Sequence, residues 1–187
     1  MITSVPIPEC MQHLERDCRG YPIPVIVMRD TDGRPHFTVS DEGERQRVIW
    51  LNLCSICGGA LERERWLVGG PMSAFHEHGA YIDPPMHQAC VNYALQVCPY
   101  LAAPNYGKRI DGKTVDPAKA GGIIVQDPLV LVERPTCFVA VATMRQELII
   151  EGQLVRYIRA LQPYTQVQYW QHGRQIDEAA ACLTTAT

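Results

Sequence analysis

The two stretches that decide the fold are CSICGG at residues 54–59 and PPMHQAC at residues 84–90. Each carries two metal-binding side chains three positions apart, as C-x-x-C in the first stretch and H-x-x-C in the second. Two such pairs are typical of tetrahedral zinc sites, in which thiolate sulfur and imidazole nitrogen fill the four coordination positions. The predicted ligands of a structural Zn²⁺ are Cys54, Cys57, His87 and Cys90.

The sequence around these pairs predicts how they come together. The run 47–53 is rich in β-branched and bulky apolar residues and predicts a strand that leads into a metal knuckle at 54–59. The period-two alternation of side chains over 61–68 predicts a second strand with one solvated face. The pattern over 87–98, stopped by Pro99, predicts a helix whose first turn carries the second ligand pair on one side.

Apolar runs and turn residues predict further elements. An Asp-Gly turn between 25–28 and 36–39 predicts a β-hairpin. Apolar residues recur at helical spacing over 144–161 and favour a helix, although Gly152 would cost that helix about 1 kcal/mol. A strand is the alternative for part of this segment. The remaining predictions are strands at 122–125, 137–142 and 165–170, an ordered loop at 72–85, a surface excursion at 102–122 and a short helix at 176–183.

Composition bounds the fold and the partners. With 187 residues, 47% hydrophobic and 20% charged, the chain predicts a single α+β domain over 1–187, of which 48–98 is the zinc-binding part. A formal charge of -3 provides no general attraction to phosphate backbones. We expect a cytoplasmic protein without a membrane partner, because no leader pattern and no long apolar stretch is present. In a reducing compartment, cysteine pairs at this spacing favour metal over disulfides.

The order of knuckle, strand, loop and helix start resembles the treble-clef zinc-finger group over residues 48–98. The alternative interpretation is a core histidine and buried thiols without a metal. Cys98, His76 and His78 are rivals for a ligand position, but Cys98 lies too far along the predicted helix to share an ion with His87. Cysteines without a partner at metal-binding spacing are treated as ordinary residues: Cys10, Cys18, Cys137 and Cys182.

His76, His78 and Asn92 are candidate accessory residues. Treble-clef scaffolds include the HNH-type nucleases, in which a histidine base and a helix-borne asparagine and histidine surround a catalytic cation. His78 and Asn92 match part of that pattern, but no histidine follows Asn92 until His172. We expect His76 and His78 to lie on an exposed loop or to bond to a backbone group near the zinc.

Arg63 and Arg65, with Trp66 beside them, are candidate nucleic-acid contacts, since arginine and an aromatic ring together hold a backbone and stack a base. Glu62 and Glu64 alternate with these arginines, and such mixed faces are usually solvated surface. Nucleic-acid binding is therefore the alternative interpretation.

A second resemblance covers residues 53–180. Its motifs are C-x-x-C, GPM at 70–72, PPMHQAC at 84–90, VCPYL at 97–101 and the closing YWQHGR at 169–174. Together they are similar to a group of uncharacterised small proteins from bacteria and their phages, and the resemblance implies a zinc-binding fold.

The predicted function follows from the closed metal shell and from the lack of a convergent acid-base set in the sequence. We expect a non-enzymatic binding protein whose partner is a host or cellular protein, with phage origin as one reading. The alternative is a nucleic-acid-binding or degenerate HNH-nuclease-like zinc protein. The sequence leaves the oligomeric state open.

Overall fold

The structure is a computed structural model that describes residues 5–103, 121–122 and 134–185, with the backbone alone from 182 onward. The helices are α1 (Glu42–Trp50), α2 (Pro71–Phe75), α3 (Gln88–Val97), α4 (Pro99–Ala102) and α5 (Glu178–Thr185), with a 3-10 turn at Glu9–Met11. The strands are β1 (Val27–Arg29), β2 (Pro35–Ser40), β3 (Arg65–Gly69), β4 (Phe138–Thr143), β5 (Gln146–Glu151), β6 (Leu154–Ala160), β7 (Gln166–Gln171) and β8 (Arg174–Ile176). The described chain is thus of mixed α and β content, as the sequence predicts. Among the described helices, none has both the length and the hydropathy that crossing a bilayer requires.

A four-stranded antiparallel sheet in the order β3-β4-β7-β8 forms the centre of the molecule. Every residue of β4 is buried, because side chains alternate between two apolar clusters on opposite faces of the sheet. Phe138, Ala140 and Ala142 belong to the first cluster, and Val139 and Val141 to the second. The prediction of a buried strand at 137–142 is confirmed.

The first cluster holds the region of the predicted metal site. It joins the three cysteines of that site to Trp66 of β3 and to the buried side chains of α3, and the N-terminal segment packs on it. The helix predicted at 87–98 is confirmed as α3, which ends before Pro99. The candidate site therefore lies on one face of the central sheet, between β3 and α3.

The strand predicted at 47–53 is wrong: residues Glu42–Trp50 form helix α1. The carboxylate of Asp41 caps this helix by accepting a hydrogen bond from the Glu44 amide, and Glu42 and Glu44 place negative charge in its first turn. Val48 and Ile49, which suggested a strand, are the buried face of the helix. A short apolar run has the same pattern in a buried strand and in a buried helix face.

The helix favoured at 144–161 is also wrong, because β5 and β6 form an antiparallel hairpin there. Gly152 lies in the connecting turn with φ +63°, a left-handed conformation that glycine adopts without steric cost. The hairpin packs on the second cluster through Val155 and Ile158. Tyr81 extends it by a bridge to Ile158.

Other elements agree with the sequence in part. The hairpin predicted from 25–28 and 36–39 is confirmed as β1–β2. The strand predicted at 165–170 is confirmed as β7. The helix predicted at 176–183 is confirmed as α5, which begins two residues later. The strand predicted over 61–68 is shorter, as β3, and both of its faces are covered, since Trp66 and Leu67 are buried. The predicted loop 72–85 begins inside helix α2. Most of the excursion at 102–122 and the strand at 122–125 lie outside the described residues.

Candidate metal centre

The knuckle at 54–59 is a tight turn closed by backbone hydrogen bonds. The Cys54 amide donates to the Gly59 carbonyl at 2.8 Å, and the Gly58 amide donates to the Cys54 carbonyl at 2.8 Å. Just outside the turn, Leu53 and Ala60 form an antiparallel bridge. Gly58 has φ +74°, which the turn needs to bring the two cysteine side chains to one side.

Helix α3 places the second ligand pair against this turn. His87 is the N-cap residue of the helix, and Cys90 lies in its first turn. Met86 forms a two-way backbone bridge with Trp66 of β3, with N–O distances of 2.8 and 3.1 Å. Ser55 of the knuckle donates from its amide to the Pro85 carbonyl and from its hydroxyl to the Pro84 carbonyl. These contacts bring the helix start against the knuckle.

Four side chains converge at this junction. The sulfurs of Cys10, Cys57 and Cys90 and a ring nitrogen of His87 lie within 4.8 Å of one another, which is close enough to bind a metal ion. Within the group, Cys57 Sγ lies 3.2 Å from His87 Nδ1, and Cys10 Sγ lies 3.5 Å from Cys90 Sγ. Three of the four predicted ligands therefore belong to the group.

Cys54, the fourth predicted ligand, is fully buried beside the group. It belongs to the same buried cluster as Cys57 and Cys90. Cys54 therefore neighbours the four-donor group, and its C-x-x-C spacing to Cys57 makes it a candidate for the same coordination shell. Each of the described cysteines is a free thiol.

Cys10 is the residue that the sequence analysis missed. We treated it as an ordinary cysteine, because it has no partner at metal-binding spacing, but it lies beside Cys90, 80 positions along the chain. The 3-10 turn at Glu9–Met11 presents it to the cluster, and Met11 is buried against the same core. No local spacing rule relates a single cysteine to a pair so far away.

His87 is oriented by its second ring nitrogen. Its Nε2 lies 3.0 Å from the carbonyl oxygen of Ala60, which can only accept a hydrogen bond. Nε2 therefore carries the proton, and the lone pair is left on Nδ1, the atom that faces Cys57. A ligand histidine whose other nitrogen donates to a carbonyl is the usual arrangement around protein-bound metals.

The thiols of the cluster perturb one another. Hydrogen bonds from Cys54 and Cys90 hold the pKa of Cys57 far below its usual range. Hydrogen bonding with Cys54 and Cys57, together with burial, raises the pKa of Cys90. Metals bind the deprotonated form of cysteine, so zinc binding here would displace the protons of the coordinating thiols.

The candidate accessory histidines are exposed and lie apart from the cluster. The His78 and Glu77 side chains are 76% and 80% exposed, and their contact is 3.6 Å long. The His76 ring accepts a hydrogen bond from the His78 amide and packs edge-on against the His78 ring. Asn92 lies on α3, and its buried Oδ1 makes no hydrogen bond within the described residues. The expectation of an exposed loop agrees with this placement.

The two candidate nucleic-acid contacts differ in their surroundings. Arg63 is exposed, whereas Arg65 of β3 donates from Nε to the Asn52 side chain at 2.9 Å. Trp66, the aromatic residue that was expected to stack a base, is 1% exposed and belongs to the core. A stacking surface for a base is therefore not formed by these three residues.

The comparisons with known proteins do not place the chain in a family. No family model, curated protein or solved structure matches it.

Proposed function

We propose that the protein is a non-enzymatic binding protein, held together by a structural zinc ion, whose partner is a protein of the host or of the cell. Phage origin, implied by the motif resemblance, is part of the same proposal. The carrying observation is an exposed apolar pair, Trp50 and Leu51, that shortly precedes the knuckle in the chain.

The donor types support zinc. Thiolates and imidazole suit Zn²⁺, whereas Mg²⁺ and Ca²⁺ prefer oxygen. The donors are mostly buried, and four of them would fill a tetrahedral shell without water, which is the condition of a structural rather than a catalytic site. A knuckle closed by the Leu53–Ala60 bridge, followed by β3 and by a helix whose first turn carries ligands, supports the treble-clef-like interpretation.

Trp50 and Leu51 form the exposed pair, which we call the Trp50–Leu51 patch. Their side chains are 55% and 60% exposed. Trp50 is the last residue of α1 and Leu51 its C-cap, four and three residues before the knuckle begins. A tryptophan and a leucine side by side in water are costly, and tryptophan is enriched among residues that dominate binding energy at protein interfaces. A patch fixed by the adjacent metal site would be presented rigidly to a partner.

The experiment compares two surface variants of the metal-loaded protein. Trp50→Ser/Leu51→Ser removes the patch, and Ile150→Ser, at a residue that is 52% exposed on β5, is the matched control. We expect one protein to crosslink to the wild type and to the control but not to the double variant, with zinc content equal in all three. Equal crosslinking of that protein to the double variant would contradict the proposal.

Nucleic acid is the alternative partner, and the salt dependence of binding distinguishes it from a protein partner. A gel-shift titration with DNA and RNA would show steeply salt-dependent binding if phosphate contacts dominate. We expect no shift at low salt. A shift that Arg63→Ala weakens would favour the nucleic-acid interpretation instead.

A further inference from the structure

We propose that Cys10 is a fifth donor to the metal, interchangeable with Cys54, so that the ion also fixes the N-terminal segment to the domain. This inference rests on the metal site of the proposed function. It concerns residues 5–24, which we call the N-terminal strap.

The position of Cys10 fits coordination. Two sulfurs bound to one tetrahedral Zn²⁺ at about 2.3 Å lie about 3.8 Å apart. The Cys10 and Cys90 sulfurs are 3.5 Å apart, and Cys10 lies within 4.8 Å of the Cys57 and His87 donors as well. A simple packing contact with one cysteine would not place the sulfur near three other donors at once.

The strap is held in place by contacts that do not involve the Cys10 thiol. Met11 is 2% exposed, and Val5, Ile7 and Leu14 pack against the same cluster. His13 contacts the knuckle itself, with its Nε2 3.0 Å from the Cys57 carbonyl oxygen. The packing of the strap therefore fixes the backbone of Cys10 beside the cluster.

The two donor sets are chemically equivalent. Cys57, His87 and Cys90 are common to both, and the fourth position is filled by Cys10 in one set and by Cys54 in the other. Each set has three thiolates and one neutral imidazole, so a Zn²⁺ site has the same net charge either way. Exchange between the sets therefore carries no electrostatic penalty, and it couples the strap to the ion.

Three cysteine variants test the exchange. Cys54→Ser and Cys10→Ser should each retain about one zinc per chain, because each leaves one of the two donor sets complete, whereas Cys10→Ser/Cys54→Ser should lose it. Cys18→Ser is the matched control, since Cys18 is an exposed cysteine on the same strap. Zinc is measured by elemental analysis, and its retention by competition with a chelator. In the single variants we expect the affinity for zinc to fall by about 10-fold or more.

A different pattern would overturn the inference. If Cys54→Ser alone lost the metal while Cys10→Ser matched the wild type in both zinc content and retention, Cys10 would be a bystander. A wild-type protein without any zinc would instead remove the proposed function on which the inference rests. The two failures are therefore distinguishable.

Two measurements on the wild-type protein test the role of Cys10 even if a variant does not fold. Thiol alkylation of the zinc-loaded protein, read residue by residue by mass spectrometry, should modify Cys18 and spare Cys10. Hydrogen exchange of the strap amides should slow when zinc is added to metal-depleted protein. Alkylation of Cys10 as fast as Cys18 in the zinc-loaded protein would contradict the assignment.

Discussion

The sulfurs of Cys57 and Cys90 lie within 4.8 Å of each other, although one belongs to the knuckle and the other to helix α3. Both residues are shared by the two donor sets, and both lie in the same buried cluster as Cys54. Because Cys10 and Cys54 are alternatives for a single coordination position, loss of Cys57 or Cys90 leaves neither set complete.

We therefore expect Cys57→Ser or Cys90→Ser to release the metal and to unfold at least residues 48–98. Metal binding is folding free energy in such sites, of the order of 10 kcal/mol for zinc-finger peptides. Elemental analysis and thermal unfolding followed by circular dichroism measure the two effects. Cys18→Ser should leave both unchanged, and a folded Cys90→Ser protein without zinc would show that the metal is dispensable.

Removal of the metal from the wild type should give the same result without a mutation. A zinc chelator should lower the unfolding temperature of the wild type markedly and that of Cys90→Ser hardly at all, because the variant has already lost the ion. Thermal scans with and without chelator measure the difference. Restored stability on addition of zinc, but not of magnesium, would identify the donor chemistry.

Gly58 is the position of the knuckle where the backbone requires glycine. Its φ is +74°, and an added Cβ would approach Val25 Cγ1 to 3.2 Å. We expect Gly58→Ala to destabilise the protein by about 1–2 kcal/mol, the cost of a left-handed conformation for an L-residue. Urea unfolding of the zinc-loaded protein measures this free energy.

The neighbouring glycine is the matched control for this prediction. At Gly59 an added Cβ would meet the His87 ring at 3.4 Å and Cys57 Sγ at 3.5 Å, which are ordinary contacts, and its φ lies outside the left-handed region. Gly59→Ala should therefore change the stability much less than Gly58→Ala. Equal effects would mean that steric space, and not backbone conformation, limits the knuckle.

The two ligand pairs of the candidate site could be predicted from the sequence, but the contribution of Cys10 could not. The C-x-x-C and H-x-x-C pairs specify a turn and a helix start whose ligands are close along the chain. Cys10 reaches the same point only because the strap packs its apolar residues on the first core cluster. That packing depends on tertiary structure, for which a lone cysteine gives no periodic or spacing signal.

The two incorrect elements have a common physical origin. Apolar residues in 47–53 and in 144–161 fit a helix and a strand almost equally well, so neighbouring residues decide between them. Asp41, upstream of the first run, starts a helix by capping it, and Gly152, in the middle of the second, forms a hairpin turn. The helix cap and the turn glycine, and not the apolar pattern, are the sequence signals that distinguish the two structures.

Helix α1 depends on one buried charge. The Arg45 guanidinium is 4% exposed, pairs with Glu42 at 2.9 Å and donates to the carbonyl oxygens of Ile82, Val155 and Arg156. It thereby joins α1 to β6 and to the segment before α3. A buried cation with these partners is costly to remove, because the Glu42 carboxylate then stays buried without a counter-charge, with Gln46 as its remaining donor.

We expect Arg45→Met to destabilise the protein by about 3–5 kcal/mol, since it leaves the Glu42 carboxylate without its cation and removes the Arg45 donors to the Ile82 and Arg156 carbonyls. The control is Arg47→Met on the same helix, where the Arg47–Glu44 pair has the same spacing but side chains 43% and 42% exposed. That change should stay within about 0.5 kcal/mol. Urea unfolding at constant zinc compares the two. Similar losses for both would show that the buried network contributes no more than a solvated pair, and that apolar packing by Val48 and Ile49 is what holds α1 in place.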